Sequence, residues 1–341
     1  MQAGINQFLV RFVFATGVMA FPALAQEALP AEERKAAVDG IVERLRTQYS
    51  VPELGEAMAA RLLERASQGA YANLARGEEF AARLTKDLAE VGRDGHLRVR
   101  WSAEKLPPET PGDGDSRPPA EEIAKIRARQ AESNFGIAGA RVLEGNIGYI
   151  ETRYFTMPEF AAETYAAAFQ VVANTEALII DLRANRGSMS PEAIPFFCGY
   201  LLRDATHLID MYWRPTGKTR QSWSYAWVPG QRYLDKPVYL LTSQRTFSGA
   251  EEFAYDLKHL KRATVVGETT GGGANPGGPQ RVTDHISVWL PVGRVSNAVT
   301  GGNWEGVGVK PDVEVPAAEA LDAALRLIGE RRKAAGAQSG R

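Results

Sequence analysis

Ala177-Leu178-Ile179-Ile180-Asp181-Leu182-Arg183-Ala184-Asn185-Arg186-Gly187 is the stretch that settles the architecture. Its first six residues are apolar at odd and even positions alike, apart from one aspartate. A strand wetted on one side would alternate, so this pattern predicts a strand buried on both faces. Arg183 to Gly187 follow as a polar turn. Ser190-Pro191 then opens a helix, with serine as the cap and proline in the first helical position.

The same order of strand, turn and helix recurs on either side. Strands are predicted at 146–150, 237–242 and 263–267, and helices around 159–173, 191–202 and 249–261. Further strands are predicted at 286–292 and 306–315. This alternation predicts an α/β core with a mostly parallel sheet over residues 135–330.

Upstream the period changes. Val38, Ile41, Val42, Leu45 and Tyr49 fall on one helical face. Pro52 starts a second stripe through Leu54, Met58, Leu62 and Leu63, and Phe80, Leu84 and Leu88 make a third. Residues 30–100 therefore read as a small N-terminal helical domain. Residues 101–134 read as a mobile proline-rich linker (Pro107, Pro108, Pro111, Pro118, Pro119) ending in a polar helix over 121–132. Residues 331–341 read as a disordered tail.

Residues 1–25 have the form of a signal peptide. Arg11 precedes the apolar run Phe12 to Phe21, and Ala23-Leu24-Ala25 offers a cleavage site. The expectation is a secreted or periplasmic protein with no stable membrane insertion after cleavage. The single cysteine, Cys198, excludes an internal disulfide and a cysteine zinc cluster, and its apolar context predicts a buried thiol. A net charge of −1 argues against a nucleic-acid partner. A homo-oligomer is left open.

The second strand-to-helix junction carries the chemistry: Thr242-Ser243-Gln244-Arg245-Thr246-Phe247-Ser248-Gly249-Ala250-Glu251-Glu252. Ser248 stands where a helix begins, and its simplest role there is a cap. The same place offers free amides that can stabilise an oxyanion. Gly249 and Gly187 are the candidate donors. A serine nucleophile needs a base, and the chain has His96, His207, His259 and His285. His259 lies eleven residues along the helix from Ser248, roughly 16 Å away, and is excluded. Spacing does not decide among the others.

These junctions occur in order with Val266-Gly267-Glu268-Thr269-Thr270-Gly271-Gly272 and Gly306-Val307-Gly308-Val309-Lys310-Pro311-Asp312. Together with the Asp94-Gly95-His96-Leu97 turn, they resemble the tail-specific, or carboxyl-terminal processing, serine protease superfamily. The likeness is to the branch of interphotoreceptor retinoid-binding protein modules and the tricorn protease core. It implies a crotonase/ClpP-like spiral core. It also implies Ser248 as nucleophile, His96 as base, Glu305 as the acid orienting it, and Gly249 and Gly187 as oxyanion donors. The chain departs from the pattern in places. Gly273 stands where the Ser–Lys branch carries its lysine, Gly95 replaces a serine, Ser188 replaces a second loop glycine, and no PDZ module is evident.

The expected function is thus a secreted serine peptidase acting on a peptide or small acyl substrate, with no cofactor or metal. Its pH profile is expected to rise near the ordinary histidine pKa, roughly 6.5. The alternative is a catalytically silent module of the same fold that binds an apolar, retinoid- or fatty acid-like ligand near Trp213, Trp223 and Trp227.

Overall fold

The computed structural model describes residues 28–92, 94–108 and 119–339; the expected signal peptide lies outside them. Helices α1 (Ala31–Gln48), α2 (Pro52–Ser67) and α3 (Gly77–Gly92) come first, then β1 (Arg98–Trp101) and α4 (Ala120–Ala131). The core continues with β2 (Ile137–Leu143), β3 (Ile147–Thr152), α5 (Pro158–Val172), β4 (Ala177–Asp181) and α6 (Ala193–Cys198). After the hairpin β5 (His207–Trp213) and β6 (Lys218–Trp223) come β7 (Val238–Thr242), α7 (Gly249–His259) and β8 (Thr264–Gly267). The described chain ends with β9 (Gly277–Arg281), β10 (Ile286–Pro291), β11 (Gly293–Asn297), β12 (Val313–Glu314) and α8 (Ala320–Ser339).

The central sheet has the order β12-β8-β7-β4-β3-β2. Every neighbouring pair is parallel except β2 and β3. All five residues of β4 are buried, as its unbroken apolar pattern requires. Leu178 and Ile180 face a core shared with α5, α6 and α7, where Phe169, Phe197 and Phe253 pack. Ala177 and Ile179 face the opposite side, where Ala320, Ala324 and Ile328 of α8 cover the sheet. The result is a mixed α/β core with a helical N-terminal region, as expected. Cys198 is fully buried, and its thiol is pushed up by burial.

Several elements differ from the sequence expectation. The helix expected to open at Ser190-Pro191 begins at Ala193, with Glu192 at the N-cap position, and ends at Cys198. The tail expected at 331–341 is helical through Ser339, because α8 is the cover of a sheet face rather than an extension. Arg332 anchors it, pairing with Glu176 at 2.9 Å. The strand expected at 306–315 shrinks to β12, since Gly306 and Gly308 take positive φ (68° and 72°) and turn the chain. The linker is not loose at its start: Ser102 N–H donates to His285 O and Leu106 N–H to Asp284 O.

The strand expected at 286–292 leaves the core altogether. β10 lies between β1 and β9, with Arg98 opposite Trp289 and Ile286 opposite Trp101. Ile286, Val288 and Leu290 pack with Ile41, Leu45, Phe80 and Leu84 from the helices. The N-terminal unit is therefore completed by a ribbon from late in the chain.

One buried group works against stability. Asp256 on α7 is fully buried; Asn297 donates to its Oδ1 at 2.8 Å, and its Oδ2 has no partner. Burial pushes its pKa up to about 7. Unfolded, the carboxyl ionises near its ordinary value, so folding is penalised progressively from about pH 4 to about pH 7. Asp256→Asn keeps an acceptor for Asn297 and removes the charge. Its melting temperature is expected to rise at pH 8, by about 2–4 °C per kcal/mol relieved, and to change little at pH 4. Equal shifts at both pH values would show that ionisation of Asp256 carries no cost.

Candidate active site

The turn between β7 and α7 is built on β4's exit. Thr246 Oγ1 donates to Leu182 O at 2.9 Å, Ser243 Oγ to Arg183 O at 2.6 Å, and Phe247 N–H to Asn185 O at 3.2 Å. These bonds fix the direction from which Ser248 enters α7. Ser248 sits at φ 55°, ψ −127°, a left-handed conformation that an L-residue occupies only under constraint. The constraint is local. Glu251, fully buried, accepts the Ser248 N–H at 2.8 Å. The sharp strand-to-helix turn with a strained serine at its tip is the geometry that presents a nucleophilic hydroxyl.

Glu251 also accepts the N–H groups of Gly272 at 2.7 Å and Gly273 at 2.8 Å, and the Thr270 hydroxyl. Burial pushes its pKa up while these donors pull it down. One carboxylate thereby joins the serine turn to the 270–273 loop. Sequence reasoning passed over Glu251, although an acid three residues after a helix-capping serine is a readable signal.

Gly187 lies against the serine. A side chain there would come within 2.8 Å of Ser248 Cβ, and its φ of 120° already favours glycine. Its amide, however, is not a free oxyanion donor: it donates to Asn185 Oδ1 at 2.9 Å. The loop turns one residue further on. Ser188 N–H takes no partner among the described residues, and neither does Gly249 N–H. The two residues pack closely, since a Cβ on Gly249 would lie 3.0 Å from Ser188 N. The glycine–serine departure thus leaves the free amide at Ser188.

His96 reaches the same corner from the N-terminal unit. Its ring stacks on Trp289 of β10 at 4.8 Å and tilts against Phe247, the neighbour of Ser248, at 4.6 Å. Its side chain is 11% exposed, and burial lowers its pKa to about 4. A Cβ at Gly273 would meet Phe247 Cζ at 2.2 Å and His96 Cε1 at 2.7 Å. The imidazole therefore occupies the room that a side chain at Gly273 would need. Among the described residues no hydrogen bond joins His96 to Ser248. Catalytic contacts of this kind commonly tighten only around substrate.

Glu305 is brought to His96 as well. Its Oε2 accepts the Ala274 and Asn275 amides at 2.7 and 2.8 Å, and Trp304 beside it donates to Gly273 O at 2.9 Å. Asp94, Glu305 and His96 each place one polar atom within 4.8 Å of the other two. His96 Nδ1 and Glu305 Oε1 are both buried without partners. This is also the one trio of His, Cys, Asp and Glu among the described residues close enough to hold a metal ion. The remaining histidines lie elsewhere: His207 pairs with Asp210 at 3.1 Å on β5, His285 contacts Ser102 O at 3.0 Å, and His259 packs on Tyr255 in the last turn of α7.

Residues 146–315 match Peptidase family S41, and residues 29–133 match the N-terminal domain of Peptidase S41 in eukaryotic IRBP. The chain belongs to peptidase family S41. Similar solved structures include a protein of Parabacteroides merdae ATCC 43184, at 18% identity and a TM-score of 0.59, covering 86% of this chain and 96% of that one. Mature CPAF in complex with lactacystin matches at 13% identity and 0.58, covering 87% and 98%. A lipoprotein from Streptococcus agalactiae matches at 15% identity and 0.56, covering 87% and 96%. At these identities the likeness is one of fold. Membership of the S41 family makes this chain a peptidase by family.

Gly273→Ala tests the crowding around His96. The added methyl is expected to push the imidazole away and to lower activity by about a hundredfold, as small misplacements of catalytic groups do. Circular dichroism should remain that of the parent protein. Full activity in this variant would mean that the ring position at His96 is not critical.

Proposed function

We propose that this S41 peptidase is of the serine type, with Ser248 as nucleophile, His96 as general base and Glu305 among the groups that orient it. The observation that carries the reading is the strained Ser248 at the amino end of α7, in a corner that also receives His96. Ser248 Oγ attacks the carbonyl carbon of the scissile bond as its proton passes to His96 Nε2. The carbonyl oxygen gains the negative charge and is met by the Gly249 and Ser188 amides. Collapse breaks the bond to the leaving amine, which takes the proton from His96. Water then repeats the sequence on the acyl-enzyme and frees Ser248. An exported protein acting on peptides outside the cytoplasm fits the signal-like N-terminus.

A histidine base rather than a lysine is in keeping with the same geometry, since position 273 is glycine and a Cβ there would meet the imidazole. The base is neutral above its pKa, which burial lowers to about 4. The acid limb of kcat/KM is therefore expected near pH 4 rather than near the ordinary histidine value of roughly 6.5. A limb above pH 9 would point to an amine base.

The direct test is covalent labelling of the folded protein with a fluorophosphonate probe, followed by peptide mapping. Label is expected on Ser248. Ser248→Ala and His96→Gln are each expected to lower peptide hydrolysis by roughly 10⁴-fold or more. Labelling that persists in Ser248→Ala would reject Ser248 as the nucleophile.

A further inference from the structure

We infer that Asp94, held in place by Tyr49 of the N-terminal helices, is a positioning residue for His96 and shares the orienting role with Glu305. The inference rests on the serine-peptidase reading for its catalytic meaning, but its geometry stands apart from it.

Tyr49 caps the end of α1 and is 1% exposed. A tyrosine buried so fully needs a partner for its hydroxyl. It donates to Asp94 Oδ2 at 2.9 Å. Asp94 Oδ1 in turn accepts the His96 N–H at 2.9 Å, across the single residue Gly95. The carboxylate is thus gripped at both oxygens, and its grip sets the backbone from which the imidazole projects. The same Oδ1 lies 3.9 Å from His96 Nδ1.

Glu305 approaches the ring from the core side. Its two donors, the Ala274 and Asn275 amides, both go to Oε2, and Oε1 is left buried without a hydrogen-bond partner. The trio's polar atoms lie within 4.8 Å of one another, and the groups facing them are Tyr49 just after α1, Phe247 ahead of α7, Trp289 from β10 and, further off, Glu251. None of these is a cation. Two carboxyls so close in a dry site do not both ionise cheaply, so the pair holds one proton. Donors reach both oxygens of Asp94 and only one of Glu305. Asp94 is therefore the better anion, and Glu305 Oε1 the better seat for the proton. Burial and the neighbouring Asp94 push Glu305 up to about 7, in keeping with that division.

The consequence for the reaction is specific. When His96 takes the serine proton, the imidazolium forms beside an anion that is already fixed. The proton of the pair stays where it is. The orienting charge then comes from the N-terminal unit, and Glu305 fills the other side of the ring. Asp94 touches neither substrate nor the reacting atoms; it acts through His96.

The test pairs two readouts on the full-length mature protein with the variants Asp94→Asn, Tyr49→Phe and both together. The first is the rate of fluorophosphonate labelling across pH. Asp94→Asn is expected to lower the plateau rate by about 10- to 100-fold and to move the acid limb to lower pH. Tyr49→Phe keeps the buried ring and loses only the hydroxyl. It is expected to lower the rate by about 3- to 10-fold, and to add nothing in the Asp94→Asn background. The second readout is ¹⁵N NMR of the His96 ring at pH 7, assigned with His96→Gln. The proton is expected on Nδ1 in the parent protein and redistributed toward Nε2 in Asp94→Asn. An unchanged labelling profile in Asp94→Asn, or an unchanged His96 tautomer, would overturn the inference. If the parent protein takes no label at all, the peptidase reading fails, and the NMR readout still decides whether Asp94 governs the ring.

Discussion

The carboxylate of Glu251 is the constraint on which the site depends. It is buried at the first turn of α7 and satisfies the amides of Ser248, Gly272 and Gly273 together with the Thr270 hydroxyl. Ser248 holds an unfavourable backbone conformation, and strain of that kind persists only where the surroundings dictate it. The surroundings are this carboxylate on one side and the β4 exit loop on the other. Because Gly273 belongs to the same network, the serine turn and the wall behind the histidine are set by one group rather than by two independent loops.

The histidine answers to a different part of the molecule. Its backbone is tied to Asp94 and through it to Tyr49, and its ring lies on Trp289 of the late ribbon. The aromatic contacts exclude water and favour the neutral imidazole. The proposed nucleophile and base thus stand beside two separately packed hydrophobic clusters, and Phe247 touches the His96 ring between them. A peptidase assembled this way needs the contact between the clusters as much as it needs either cluster.

Much of this was legible in the chain. The unbroken apolar run in β4 announced a sheet covered on both sides, and three helical stripes announced the N-terminal unit. The covering helix on the second face is not among the predicted elements, and Arg331, Arg332 and Lys333 read as a polar tail rather than as the end of a docked helix. The exchange of β10 into the N-terminal unit was invisible, since the pairing of Arg98 with Trp289 depends on contacts remote in sequence. Ser248 could be singled out from its junction. His96 and Glu305 could not, except by resemblance, because spacing alone says nothing about three distant segments meeting. Asp94 and Glu251 looked like ordinary acids beside a turn and in a first helical turn. Gly187 misled for a subtler reason: Asn185 takes its amide, a local side-chain contact that no motif encodes.

The placement of β10 has a consequence for how the protein comes into being. The ribosome delivers the three helices first, but the apolar faces they share with Ile286, Val288 and Leu290 wait for residues made near the end of synthesis. The ring bed on Trp289 comes with that same ribbon, and the carboxyl of Glu305 arrives later still. A nascent chain therefore already carries Ser248 while the seat of His96 is missing. The first and last parts of the chain are thereby tied together: the surroundings of His96 are complete only when the last fifth of the polypeptide folds back onto the first.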